Sequence, residues 1–285
     1  MVETGKGQSA QAALPPRVRL WDRTGEIGYE PVLAAFARDE LLCRLMKAED
    51  DPIVHMWRHP RAFVMGLRDS RLPEAGAAAA WLRELGYSTA VRNSGGAAVP
   101  LDLGVLNVSL VLPKAEGTIG FRSDFERMVR LLQASFMHRT AHIREGEVEG
   151  SYCPGEFDLS IGGRKLCGIA QRRHANAVVV QAFLVVEGTG AERAALARAF
   201  YEKAAGRSAE ADYPRVRPET MGSLSELTGE PVTAAEAAAD IAGLLGAAAA
   251  VELVAADELL SYDDIVRTAS ELENRYASRP DRAAN

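Results

Sequence analysis

Residues 157–171 read Phe157-Asp158-Leu159-Ser160-Ile161-Gly162-Gly163-Arg164-Lys165-Leu166-Cys167-Gly168-Ile169-Ala170-Gln171, with alternating apolar and polar side chains ahead of a glycine pair. Side chains along a strand point to opposite faces with a period of two. A Gly-Gly pair suits a two-residue turn in which both central residues need positive φ. The stretch therefore predicts a β-hairpin. With Gly162 and Gly163 as the turn, Ser160 pairs with Lys165, and Lys165 lies opposite the Leu159 and Leu166 core pair, toward a cleft or solvent. The same alternation sets Cys167 on the Lys165 face. Further on, Val178 to Val186 is an almost unbroken apolar run, the pattern of a strand buried on both faces.

Toward the N-terminus strands and helices mix. Val18 to Arg23 reads as a short strand, and Val32 to Lys47 as a helix with charges between its leucines, alanines and phenylalanine. Ile53 to Trp57 and Ala62 to Leu67 read as two strands of a hairpin joined through Arg58, His59 and Pro60. A helix from Pro73 to Leu85, closed by Gly86, precedes a strand from Ser88 to Arg92. Ser123 and Glu126 have the spacing of a capping box ahead of the stripe Phe125, Met128, Val129, Leu132 and Phe136, an amphipathic helix suited to covering a sheet. From Ala191 onward the chain is mostly helical, with a second capping box at Thr233 and Glu236 and a last helix from Ser261 to Tyr276. No fixed period repeats. The class expected is α+β, a mixed or antiparallel sheet packed with helices and ending in a helical C-terminal segment.

Composition narrows the function. At 285 residues and 47% hydrophobic, the chain can bury a core without bridges, and its 3 cysteines, Cys43, Cys153 and Cys167, show no CxxC spacing. A reducing compartment, the cytoplasm, is the expectation. Met1 to Ala13 has no continuous apolar run of the kind a secretory signal needs. The most apolar window, Ile241 to Ala256, is broken by Glu252 and falls short of the roughly 20 apolar residues of a membrane span. A net charge of -6 with both signs intermixed argues against nucleic acid as a partner. The five histidines, His55, His59, His138, His142 and His174, show no metal-binding spacing, so no metal is expected.

Four constellations could carry chemistry. Arg92-Asn93-Ser94-Gly95-Gly96-Ala97-Ala98 is either an ordinary strand turn or a loop whose glycines let a ligand approach free amides. Ser151-Tyr152-Cys153-Pro154-Gly155 places a cysteine in a turn, where its sulfur can meet a substrate, although many isolated cysteines are only small core residues. Lys165 on the hairpin is either a solubilising charge or a functional cation. Cys167, two residues along, is a rival nucleophile by periodicity, with flanks that suit a pocket wall. Arg172-Arg173-His174 is either a solvated rim or a surface for an acidic protein.

Taken in order, three stretches resemble the lipoate and biotin protein ligase catalytic family: Arg92 to Val99 with Asp102, Gly104, Leu106 and Asn107; then Ser151 to Gly155; then Gly163-Arg164-Lys165 with Gly168 to Gln171. The Ser-Tyr-Cys-Pro-Gly element resembles a narrower branch, octanoyltransferases that move an octanoyl group from the glycine cleavage H protein to lipoyl domains of 2-oxoacid dehydrogenase E2 subunits. Adenylate-forming members commonly carry a second arginine where this chain has Asn93 and a histidine where it has Leu101, so the resemblance implies transfer without ATP or another cofactor. It implies Cys153 and Lys165 as catalytic residues, Cys153 holding the acyl group as a thioester and Lys165 favouring the thiolate and stabilising the oxyanion. It further implies Arg92, Ser94, Gly95, Gly96, Ala97, Asp102, Asn107, Cys167 and Gly168 as substrate-binding residues. Three parts are expected: a disordered leader over 1–16, a catalytic domain over 17–206, and a helical segment over 207–285 packed on it, in a monomer. An acyl carrier protein as octanoyl donor, an ATP-dependent lipoate ligase and a non-catalytic acyl-binding module are the alternatives.

Overall fold

The computed structural model describes residues 16–28, 30–114, 120–208, 210–255 and 259–276. The leader expected over 1–16 thus falls almost wholly outside the described residues. Four strands, β1 (Arg17–Asp22), β2 (Ile53–Trp57), β3 (Arg61–Met65) and β4 (Ser88–Val91), alternate with two helices, α1 (Leu33–Leu45) and α2 (Ala75–Glu84). Then follow β5 (Val99–Asp102), β6 (Val105–Pro113), α3 (Phe121–Ser135), β7 (Arg144–Glu145), β8 (Leu159–Ile161), β9 (Arg164–Arg173) and β10 (Ala177–Val185). The C-terminal part holds α4 (Gly190–Ala205), α5 (Leu224–Thr228), α6 (Ala234–Ala248), β11 (Ala250–Leu253) and α7 (Tyr262–Tyr276). Among the described residues no helix is long and apolar enough to cross a membrane.

An 8-stranded mixed sheet in the order β11-β1-β2-β6-β10-β9-β8-β7 forms the body, and a 3-stranded sheet, β4-β3-β5, packs beside it. Along β6 and β10, paired antiparallel from Val105↔Val185 to Pro113↔Ala177, alternate residues feed two cores. Leu106, Val108, Leu110, Val178, Val180 and Leu184 face the layer of α3 and α6. Val105, Val111, Val179, Phe183 and Val185 face α1 and the small sheet. β10 is therefore buried on both faces, as its valine run required.

Two local expectations change in the structure. β2 and β3 exist but do not pair: β2 joins β1 and β6, whereas β3 joins β4 and β5, so the chain crosses from one sheet to the other through Arg58–Pro60. The capping box at Ser123 is not formed; α3 begins earlier, with Gly120 as its cap and the Ser123 hydroxyl donating to the Gly120 carbonyl at 3.0 Å. Phe121 packs its ring on Phe125, 5.4 Å between centroids, which draws the first turn back. The C-terminal segment is mostly helical, as expected, and adds one short strand, β11, paired in parallel with β1 at the sheet edge. The box at Thr233 and Glu236 does form and starts α6.

Helix α1 is buried along nearly its whole length, Arg38, Asp39 and Glu40 included, because α7 covers the side turned away from the sheet. Buried charges need partners. Arg38 pairs with Glu30 at 2.9 Å. Asp39 accepts hydrogen bonds from Ser109 and Gln181, both at 2.6 Å, and lies 2.8 Å from His55 Nδ1. Glu40 accepts from Asn93 at 2.7 Å and from Arg172 at 3.0 Å.

Candidate active site

Gly162 and Gly163 have φ 59° and 78°, the turn geometry their sequence suggested, and Ser160 pairs with Lys165. One step further the register slips. Leu159 pairs with Cys167, so Leu166 is the extra residue of a bulge. The bulge breaks the alternation that would have placed Cys167 beside Lys165. Cys167 joins Leu166 in the core under α3, and Gly168 takes the place on the Lys165 side: a Cβ on Gly168 would lie 3.1 Å from Lys165 Nζ and 2.5 Å from Phe183.

Lys165 faces neither solvent nor an open cleft; it is 0% exposed. The loop between β7 and β8 folds back over the hairpin and buries it. Its ammonium donates to the carbonyls of Tyr152 at 3.0 Å and Cys153 at 2.5 Å, and lies 2.8 Å from Asp158 Oδ2. An ammonium has three N–H donors, and these acceptors take all three. Asp158 also accepts from the Gly155 amide at 3.1 Å, closing the turn that follows the cysteine. Burial outweighs the ammonium beside it and pushes the Asp158 carboxyl up to about 6. Tyr152 anchors the other side, its ring stacked 5.5 Å from Phe183.

Clamped between these contacts, Cys153 adopts φ 49°, and among the described residues it is the one non-glycine with positive φ. Such a conformation costs on the order of 1–3 kcal/mol and persists only where its surroundings enforce it. Its sulfur accepts from the Arg92 guanidinium at 3.1 Å and from the Ala97 amide at 3.3 Å. Both donors come from the glycine loop between β4 and β5. The Tyr201 hydroxyl fixes that loop, accepting from the Ala98 amide at 3.0 Å and donating to Asp69 at 3.0 Å. On the loop's other flank, the Asn93 side chain turns inward to Glu40.

Two cavities border the residues that touch the sulfur. The outer one, about 560 Å³, is lined by Ser94, Gly95, Gly96, Ala97, Pro154 and Tyr213 among others. A second, narrow one, about 20 Å³, is lined by Phe36, Trp57, Val64, Val99, Leu101 and Phe183, with the polar side chains of Arg92, Asn107, Ser109 and Gln181 also on its wall. Arg92 of the narrow cavity's lining and Ala97 of the outer one's both touch the Cys153 sulfur.

The structure thus brings together Cys153, Lys165, Arg92, Ser94, Gly95, Gly96, Ala97, Asn107 and Gly168. Two candidates stand apart. Cys167 lies in the opposite core, where burial pushes its thiol far up. The Asp102 carboxylate is held by Arg193 at 2.6 and 2.8 Å and caps the turn at Gly104, a structural arrangement. In the basic cluster at the end of β9, Arg172 pairs with Glu40 at 3.0 Å and Arg173 with Asp124 at 2.8 Å, while burial lowers the His174 imidazole toward its neutral form. Asp158, Tyr201 and Asp69 are not among the residues the sequence put forward, and Tyr152 entered only as part of the Ser151 to Gly155 element. For Asp158 the one signal was a carboxylate at the root of the hairpin that carries Lys165.

Residues 31–244 match the lipoyl protein ligase A/B catalytic domain. An octanoyl-[GcvH]:protein N-octanoyltransferase of Anoxybacillus flavithermus is 46% identical over 201 residues, 70% of this chain and 72% of that protein. A lipoyl-[GcvH]:protein N-lipoyltransferase of Listeria monocytogenes is 43% identical over 198 residues, covering 68% of this chain and 71% of its own. Among solved structures, a lipoate-protein ligase A bound with ATP superposes with a TM-score of 0.65 at 19% identity, over 93% of this chain and 97% of the other. A bipartite lipoate protein ligase from Thermoplasma acidophilum gives 0.65 at 19% identity over 95% and 100%. Likeness at that identity bears on the fold, whereas the matched domain and the sequence relatives bear on descent. The chain belongs to the lipoyl protein ligase A/B catalytic family.

Proposed function

We propose that this chain is an acyltransferase that moves an octanoyl group from the lysine of octanoylated glycine cleavage H protein to the lysine of E2 lipoyl domains, through a thioester on Cys153. The observation that carries the reading is a cysteine sulfur touched by Arg92 from the lining of the narrow cavity and by Ala97 from the lining of the outer one. An eight-carbon chain packed against the apolar side chains of the narrow cavity, which must widen to take it, gains about 0.8 kcal/mol per buried methylene, and the outer cavity offers a lysine arm its approach. The relatives named for this transfer support it.

In the first half-reaction the Cys153 thiolate attacks the amide carbonyl carbon of the donor. The C–S bond forms, the C–N bond breaks, and the donor lysine leaves as an amine that takes up a proton. In the second, the acceptor's lysine loses its proton and attacks the thioester carbonyl; a C–N bond forms and the thiolate is released. Two displacements replace one difficult amide exchange. Lys165 and Asp158 pin the backbone on which the sulfur rides. Asn93 is bonded to Glu40 and Leu101 is apolar cavity wall, so neither position offers a nucleotide phosphate a cation. On this reading residues 17–206 are the catalytic unit, 207–285 support it, and the protein works in the cytoplasm as a monomer.

The test is incubation with octanoylated H protein and an apo lipoyl domain, without ATP, following acyl transfer and enzyme mass for wild type and Cys153→Ala. Transfer with a hydroxylamine-sensitive octanoyl adduct on wild type alone supports the reading. A requirement for ATP and free acid, or full activity of Cys153→Ala, overturns it. The same assay with lipoylated H protein reports whether lipoyl is also accepted, the acyl group in the Listeria relative's name.

A further inference from the structure

Two cations stand beside Cys153, and their hydrogen bonds separate their roles. Lys165 has its three donors on three oxygens, and its charge faces the Asp158 carboxylate at 2.8 Å. It touches the carbonyl of Cys153, so its grip is on the backbone. Arg92 is placed differently. Its Nη2 donates to the Cys153 sulfur at 3.1 Å and to the Ala97 carbonyl at 2.8 Å, while its Nε is buried without a partner. Only 6% exposed, Arg92 forms no ion pair with a carboxylate among the described residues. A guanidinium removed from water with no anion beside it is unfavourable.

The sulfur in contact with it is the group able to supply that anion. As a thiolate it would accept a charge-assisted bond from Arg92 and a neutral one from the Ala97 amide. Gly96, with φ 92°, permits the approach: a Cβ there would lie 2.8 Å from the sulfur and closer still to the guanidinium. The other titratable groups around the sulfur do not compete for Arg92. Tyr152, Tyr201 and Cys167 are all pushed up by burial, toward their neutral forms. Asp69 feels the Arg92 charge, yet burial raises its carboxyl too, and it is already engaged by the Gly66 amide and the Tyr201 hydroxyl.

We propose that Arg92 is the counter-charge that holds Cys153 as a thiolate, with Lys165 acting one step back as a positioning residue. The inference rests on Cys153 being the nucleophile and assigns the charge chemistry of that site. It also bears on the second half-reaction. Acylation removes the negative charge from the sulfur and leaves Arg92 without its anion; attack by the acceptor amine breaks the C–S bond and restores it. Arg92 thus favours the thiolate both as attacking and as leaving group.

The measurement is ultraviolet thiolate absorbance of the full chain at neutral pH, read as a difference against Cys153→Ala. It needs neither acyl donor nor acceptor, so its outcome is separable from that of the transferase reading. Wild type should show a clear thiolate signal where a free cysteine shows a few per cent; its absence overturns the proposal without any further variant. Arg92→Gln should lose tenfold or more of that signal, an opposite charge at this distance shifting such an equilibrium by about one to three powers of ten. Arg92→Lys, which keeps the charge, should recover most of it. The double variant Lys165→Met with Asp158→Asn, which removes the buried pair as a unit, should keep the signal within about threefold while acyl transfer falls, as expected when geometry is lost. Equal loss in Arg92→Gln and the double variant, or equal loss in Arg92→Gln and Arg92→Lys, overturns the assignment.

Discussion

Gly96→Ala is the most exacting test of the site, because its effect can be worked out from three nearby atoms. The residue has φ 92°, which an L side chain rarely adopts, and its Cβ would overlap the Arg92 guanidinium and lie 2.8 Å from the Cys153 sulfur. Backbone strain of this kind costs about 1–3 kcal/mol. At about 2–4 °C per kcal/mol for a chain of this size class, the melting temperature should fall by several degrees. The larger effect falls on reactivity. Relieving the overlap moves sulfur and guanidinium apart, and a misplacement of about 1 Å is worth roughly 100-fold in rate, or about 3 kcal/mol of barrier. Single-turnover acylation by octanoylated H protein, followed by intact mass, reads that loss directly. Gly95→Ala is the stability control, since a Cβ at Gly95 meets nothing within 4 Å; its unfolding free energy should change by no more than about 0.5 kcal/mol. Wild-type acylation by Gly96→Ala, or equal destabilisation by both variants, would refute the reasoning.

Other consequences can be measured on the same material. The native Asp158 carboxyl is raised from 3.8 to about 6, so the folded state binds more protons between those values. Its contribution to stability is full below the unfolded value and is lost as pH rises through 6, about 3 kcal/mol in all. The unfolding free energy of wild type minus that of Asp158→Asn, from urea titrations, should therefore decline from pH 4 to 7, and a flat difference contradicts this. Tyr201→Phe leaves the Ala98 amide and Asp69 without their partner, so it should cost about 1–3 kcal/mol and slow acylation; chemical denaturation with the single-turnover assay checks both. Val99→Phe, which constricts the narrow cavity further, should reduce transfer of octanoyl more than that of butyryl, read by competition between the two acylated donors. Leu272→Ala, on α7 at 1% exposure, should cost about 2–5 kcal/mol by opening a cavity above α1, measurable as a lower denaturation midpoint.

What the sequence by itself determined was much of what short-range period and motif carry, the hairpin through Arg58–Pro60 and the capping box at Ser123 being the local readings that failed. The Gly162-Gly163 hairpin, the doubly buried run through β10, the apolar stripe of α3 and the box that starts α6 each follow from neighbours within a few residues. The motifs were equally local, and they put Cys153, Lys165 and the glycine loop forward together. Tertiary structure alone decided how these parts face one another. A one-residue bulge turned Cys167 away from Lys165, which strict alternation could not foretell. The loop that folds over the hairpin converted an apparently exposed lysine into a buried clamp. Helix α7, far along the chain, covered the outer side of α1 and obliged its charges to find partners. The sulfur of Cys153 meets a guanidinium 61 residues away in sequence. Periodicity is set by backbone geometry one residue at a time, whereas charge partners and cavities are set by segments that meet only when the sheets pack, and no local pattern records those meetings.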